Sequence, residues 1–228
     1  MKLSLSSGEL ANYCSALIRN YFPDNSISIF PMKLMMDLAL IKIETCFDEI
    51  NLKYYRDEQG SASKFDHLNG DHFATLLYFL SNLAWIKFDN INLATKLFYL
   101  NKIMHGIDLF YTVQMPDIFL LVHPVGTVLG NAHYDDYFVA YQNVTVGADE
   151  AGFYPIFGKE TILYSKSSVI GECTLGSNVV LGSNSFVLNS NVPSNSLVVG
   201  QFPYLKVLPN LTSVKERIFQ KNRDYDAL

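Results

Sequence analysis

Five histidines and three cysteines are the strongest candidates for chemistry in this 228-residue sequence. Cys14, Cys46 and Cys173 lie far apart in apolar surroundings, and no C-x2-C spacing joins them. They read as buried small hydrophobes in a reducing compartment, and no metal site is expected. Among the histidines, His67 and His72 fall in a polar loop and at a helix start, and read as surface residues. His105 closes a helical stretch, where a cation is favourable against the helix dipole. His133 sits in a polar turn beside Asp135 and Asp136. His123 is different, because it follows the apolar run from Ile118 to Val122. A histidine there is either a satisfied structural residue or a base that takes a proton from a weak nucleophile. Spacing alone favours the structural reading.

The elements that position these residues divide near residue 105. Ser6-Ser7-Gly8-Glu9 has the form of a capping box, and Leu10, Cys14, Leu17, Ile18 and Tyr21 follow at helical spacing. Pro31 reads as the first turn of a second helix. A third is expected from about Asp71 to Phe88, and a fourth from about Asn92 to His105, stopped by Gly106. Beyond Gly106 the helical period gives way to a period of six. It runs through Phe157, Leu163, Val169, Leu175, Leu181, Val187, Pro193 and Val199, and earlier through Val122, Val128, Tyr134, Ala140 and Val146. The two runs are 11 residues apart, so the interval from Gly147 to Ile156 bulges out of the repeat. Three six-residue strands make one triangular coil, and stacked coils pair in parallel with the apolar position inward. The fold class is therefore α+β, with an α-helical domain over residues 1–105. A parallel β-helix of hexapeptide repeats spans 106–204 and a short C-terminal tail 205–228. Within the tail, Ser213-Val214-Lys215-Glu216 could cap a short helix.

Local wording around His123 adds a family resemblance. His123-Pro-Val-Gly-Thr-Val-Leu-Gly130 resembles the H-x-x-G-[IV]-V-[VL]-G segment of serine O-acetyltransferases. Tyr141 to Gly147 is similar to that family's L-Q-x-V-T-L-G, and Gly106-Ile107-Asp108-Leu109 to its G-[VI]-D-I, with the aspartate fifteen residues before the histidine. The resemblance covers roughly residues 106–203; the helical half matches only in kind. It implies a left-handed β-helix, acetyl-CoA as co-substrate and direct acyl transfer in a ternary complex. His123 would be the general base, oriented by Asp108 as the third member orients a triad histidine. Gly147 and Ser165 match positions whose backbone lines the acetyl-CoA groove, although turn geometry alone accounts for them equally well. That groove implies a neighbouring copy, hence a homotrimer or a dimer of trimers.

The sequence departs from the family where the acceptor binds. Val122 stands in place of an aspartate. Phe153 and Tyr154 stand in place of an arginine and a histidine, while Pro155 is retained. Loss of those polar ligands leaves a zwitterion unsatisfied, at a cost on the order of 3–5 kcal/mol for each broken buried pair. Flat aromatic faces suit a sugar hydroxyl, as in polysaccharide O-acetylation, and this acceptor is the first expectation. An authentic serine O-acetyltransferase with serine ligands from other positions is the alternative, and a non-catalytic trimeric scaffold a third. The formal charge of −5 and the absence of long basic runs argue against nucleic acid and anionic membrane surfaces as partners. The most apolar window, Phe73 to Ile86, is too short for a bilayer span, so no membrane insertion is expected. MKLSLSSGELANYC lacks a signal-peptide apolar core, and a cytoplasmic location is expected.

Overall fold

The computed structural model describes residues 1–24 and 32–219, and places four helices before a parallel β-solenoid. Helix α1 (Ser7–Tyr21) opens on the anticipated capping box: Ser6 Oγ accepts from the Glu9 N–H, and Glu9 Oε2 accepts from the Ser6 N–H at 2.8 Å. Helix α2 spans Met32–Glu49; Pro31 lies outside the described residues. Helix α3 (Gly70–Ile86) is buried on every side from His72 to Ala84, as a helix walled by neighbours should be. Helix α4 (Ile91–His105) ends where Gly106 takes φ +67 in the left-handed region, a conformation that costs glycine little.

His72 is not on the surface. It is fully buried, its ring 4.3 Å from Tyr55 and 4.9 Å from Phe47, and its Nδ1 accepts the Asp66 N–H. The helix turns this position toward Phe47 of α2 and Tyr55 of the 3-10 turn Lys53–Tyr55, which the polar residues before it conceal in the sequence. His67 is half-buried against Tyr13. The three cysteines are buried, as expected.

The solenoid has three faces. One carries the parallel strands Phe119–Val122, Phe138–Tyr141, Thr161–Leu163, Val179–Leu181 and Ser196–Val199. A second carries Val128–Leu129, Thr145–Gly147, Ser168–Ile170 and Phe186–Leu188, and a third Ile156–Phe157 and Thr174–Leu175. Ser168 pairs with Phe186, eighteen residues on, which is three hexapeptides. The predicted inward positions Phe157, Leu163, Val169, Leu175, Leu181 and Val187 are all buried. At both ends the phase slips. Val122 and Val128 give way to Leu121 and Leu129, and Pro193 and Val199 to Val192 and Val198. In the last coil the cause is a missing residue, since Val179 pairs with Ser196, seventeen on.

The helical half closes the first coil. Tyr78 and Phe79 of α3 pack their rings on Phe119, and the Tyr78 hydroxyl donates to Val113 O and accepts the Met115 N–H. At the other end, Lys206–Pro209 pairs antiparallel with Ser196–Val199. The tail then runs back outside the coils, where Arg217 donates to the Tyr164 hydroxyl and Asn51 N donates to Ile218 O. Ser213 Oγ accepts the Glu216 N–H, as its spacing suggests, and the turn that follows is a π-helix over Lys215–Phe219. Among the described residues, no helix is long and apolar enough to cross a membrane.

Candidate active site

His123 stands on a corner that breaks the repeat. The inward residues Ala140 and Val146 flank the equivalent corner of the next coil, six residues apart, as do Leu163 and Val169, and Leu181 and Val187. Around His123 the flanking residues are Leu121 and Leu129, eight apart. The two extra residues push the corner outward. His123 takes φ +48, its carbonyl accepts the Val125 N–H at 2.7 Å, and Gly126 follows at φ +72. A non-glycine residue in the left-handed region is uncommon and needs support from its surroundings. The imidazole that results is 77% exposed, above a buried Pro124.

This corner forms one wall of a cavity of about 600 Å³ between the helical half and the first coil. Its other walls include Tyr54, Asn69, Asp71 and His105 from the helical half and Val122 beside His123. The Asp71 carboxylate, only 18% exposed, accepts the His123 backbone N–H at 3.0 Å through Oδ1, and the same oxygen lies 3.9 Å from Nδ1 of the ring. Burial pushes the Asp71 carboxyl above its ordinary range, and the His123 N–H partly offsets it. His105 is not the helix-end cation its position suggested. Burial pulls its pKa down to about 4, and its Nδ1 lies 2.8 Å from Asn101 Oδ1, so at neutral pH it is an uncharged wall of the cavity.

Asp108 runs alongside the corner strand, its N–H donating to Thr127 O and its carbonyl accepting the Leu129 N–H. Its carboxylate takes the Lys102 ammonium at 2.6 Å, which raises the lysine's pKa. Among the described residues no hydrogen bond or ion pair joins Asp108 to His123. Gly147 ends its strand opposite Ile170, and Ser165, whose Oγ lies 3.2 Å from Ser183 Oγ, precedes the same face, so the two flank it at opposite edges. Phe153 and Tyr154 are half exposed in the loop between Gly147 and Ile156, which Asp149 Oδ1 ties by accepting the Ala151 and Phe153 N–H groups. They do not line the His123 cavity. Nothing local in the sequence marks Asp71. Asn69-Gly70-Asp71 reads as a helix start, and its contact with His123 spans 52 residues without a local pattern. Among the described residues no cluster of three His, Cys, Asp or Glu side chains could hold a metal ion.

The same architecture occurs among known acyltransferases. The chain resembles serine acetyltransferases. It is 32% identical over 112 residues to the serine acetyltransferase of Staphylococcus xylosus, an alignment covering 47% of this chain and 51% of that one. The chain thus spans about half the length of the curated relatives it matches. No family model matches it. The structure of Neisseria gonorrhoeae serine acetyltransferase in complex with serine superposes with a TM-score of 0.66 at 20% identity, over 90% of this chain and 84% of that one. A serine acetyltransferase in complex with CoA gives 0.62 at 16%, over 87% and 84%. At these identities the structural likeness establishes the fold: N-terminal helices followed by a parallel β-solenoid of about four turns.

Proposed function

We propose that this chain is an acetyl-CoA-dependent O-acetyltransferase in which His123 is the general base. The observation that carries the reading is the lengthened corner, which holds an exposed imidazole at the mouth of a cavity large enough for a small acceptor. A hydroxyl is a weak nucleophile until a base takes its proton during attack. The ring nitrogen turned away from Asp71 takes that proton. The acceptor oxygen bonds to the thioester carbonyl carbon, the carbon–sulfur bond then breaks, and the proton passes to the departing CoA thiolate. Acetyl-CoA would lie along the solenoid face flanked by Gly147 and Ser165, with a neighbouring copy as its second wall. The resemblance names Asp108 as the orienting carboxylate, but here that carboxylate is paired with Lys102 and makes no hydrogen bond or ion pair with His123 among the described residues.

Serine is the acceptor the comparisons favour over a saccharide, since the relatives are named for it. The saccharide reading keeps one support and loses another. Val122 places an apolar wall beside His123, but the aromatic pair stands outside the cavity of its own protomer. The deciding measurement is free-thiol release from acetyl-CoA across L-serine and a set of sugars. Serine-dependent release is expected, and His123→Ala should lower it by about 10²–10⁴. Release with sugars alone would reverse the acceptor assignment. No release with any acceptor would leave a scaffold as the better reading.

A further inference from the structure

We propose that Asp71, from the helical half, is the residue that positions His123. The inference rests on His123 acting as the general base. Asp71 sits in the first turn of α3, yet that helix start does not use its side chain. Asn69 Oδ1 already accepts the N–H groups of Asp71 and His72. The Asp71 carboxylate instead crosses to the solenoid and accepts the N–H of His123, a residue held at φ +48. A mostly buried carboxylate is costly unless it is paired, and the His123 N–H favours its charged form against the burial that raises its pKa.

The same Oδ1 faces the imidazole. At 3.9 Å from Nδ1 the contact is too long for a hydrogen bond but within reach of an ion pair. Catalytic hydrogen bonds are often long before the substrate arrives and shorten in the complex. Once the bound acceptor's proton reaches the far nitrogen, Nδ1–H and the carboxylate attract, which stabilises the imidazolium and fixes the ring. The other titratable groups around the cavity are Tyr54 and Tyr55 from the 3-10 turn Lys53–Tyr55 and His105 from α4. Burial holds the Tyr55 phenol and the His105 ring in their neutral forms. Asp71 is therefore the one carboxylate among the described residues lining the cavity. The Asp108 carboxylate pairs instead with the Lys102 ammonium at 2.6 Å, and no hydrogen bond or ion pair joins it to His123 among the described residues.

The test is the NMR signals of the His123 ring nitrogens, which need no knowledge of the acceptor, alongside the steady-state kinetics of acetyl transfer. Asp71→Asn keeps an oxygen for the His123 N–H but removes the charge that faces Nδ1. It should shift the ring nitrogen signals and cut kcat at least tenfold, with the KM for acetyl-CoA and the thermal midpoint unchanged. Asp71→Glu should restore kcat, and serves as the reporter if the asparagine variant does not fold. Asp108→Asn should leave the ring signals in place. Ring signals indifferent to both Asp71 substitutions, or moved by Asp108→Asn alone, overturn the proposal. The reading of His123 as base fails separately, if His123→Ala retains full transfer.

Discussion

At Gly147 a single added methyl separates two explanations for a glycine. Gly126 is a backbone requirement, because its φ of +72 strains any side chain and a Cβ there meets Asn143. Gly147 has no such φ, and its Cβ would meet only Ile170 Cδ1 at 3.5 Å, an ordinary contact. The turn tolerates alanine, so a need for glycine there would come from a ligand lying against the backbone. Gly147→Ala is expected to change stability by less than about 0.5 kcal/mol and to raise the KM for acetyl-CoA several-fold. An unchanged KM would remove Gly147 from the cofactor face. The same scale shows what sequence conceals. His123 and Asp108 could be picked out by a fifteen-residue spacing set in matching words. Asp71 belongs to a different element and meets His123 only once both halves are folded.

Among the elements, helices were legible because caps are local: Ser6 with Glu9, and Gly106 after His105, mark ends within a single turn. The coils were legible because every coil repeats the same inward position. What failed was phase at the two ends, where a coil gains or loses residues and a strict count of six slides onto the neighbour. The most informative slip is the lengthened corner at His123, since the departure from the repeat is what exposes the imidazole beside the cavity. Helix α3 shows the opposite failure, a polar residue read as exposed that the core encloses. Burial lowers the His72 pKa from 6.5 to about 4, while the unfolded chain keeps the ordinary value. Between those two values the unfolded state binds the extra proton, so this contribution to stability falls as pH drops from 6.5 to 4 and levels below that. The full loss is on the order of 3 kcal/mol. Urea unfolding of wild type and His72→Gln should therefore give stability curves that converge toward pH 4, with the wild type steeper. Parallel curves would mean that His72 takes its proton in the folded state.

On the scale of the whole molecule, the single chain presents one wall of the solenoid face on which acetyl-CoA is proposed to lie. The cavity beside His123 is walled by both halves of the chain, so a small acceptor needs no second copy. A long co-substrate does, if it lies along a flat solenoid face, because a single convex prism offers one wall and no groove. The loop bearing Phe153 and Tyr154 points the same way. It projects two half-exposed aromatics and Ile156, 49% exposed, from the coil that follows the His123 coil, outside its own cavity. Exposed apolar groups clustered beside a functional site mark contact surfaces. In a trimer this loop would reach a neighbour's solenoid face and complete the wall that its own protomer lacks. Sedimentation of the purified chain should accordingly give a mass three times, or six times, the 25.8 kDa chain. Transfer per protomer should fall on dilution below the assembly threshold, while the thermal midpoint of the helical half changes little. Phe153→Glu should shift the population toward monomer and raise the KM for acetyl-CoA in parallel, since burying an unpaired charge at the contact is unfavourable. A monomer with undiminished turnover would show that one solenoid face suffices, and would return the aromatic loop to the acceptor question from which it started.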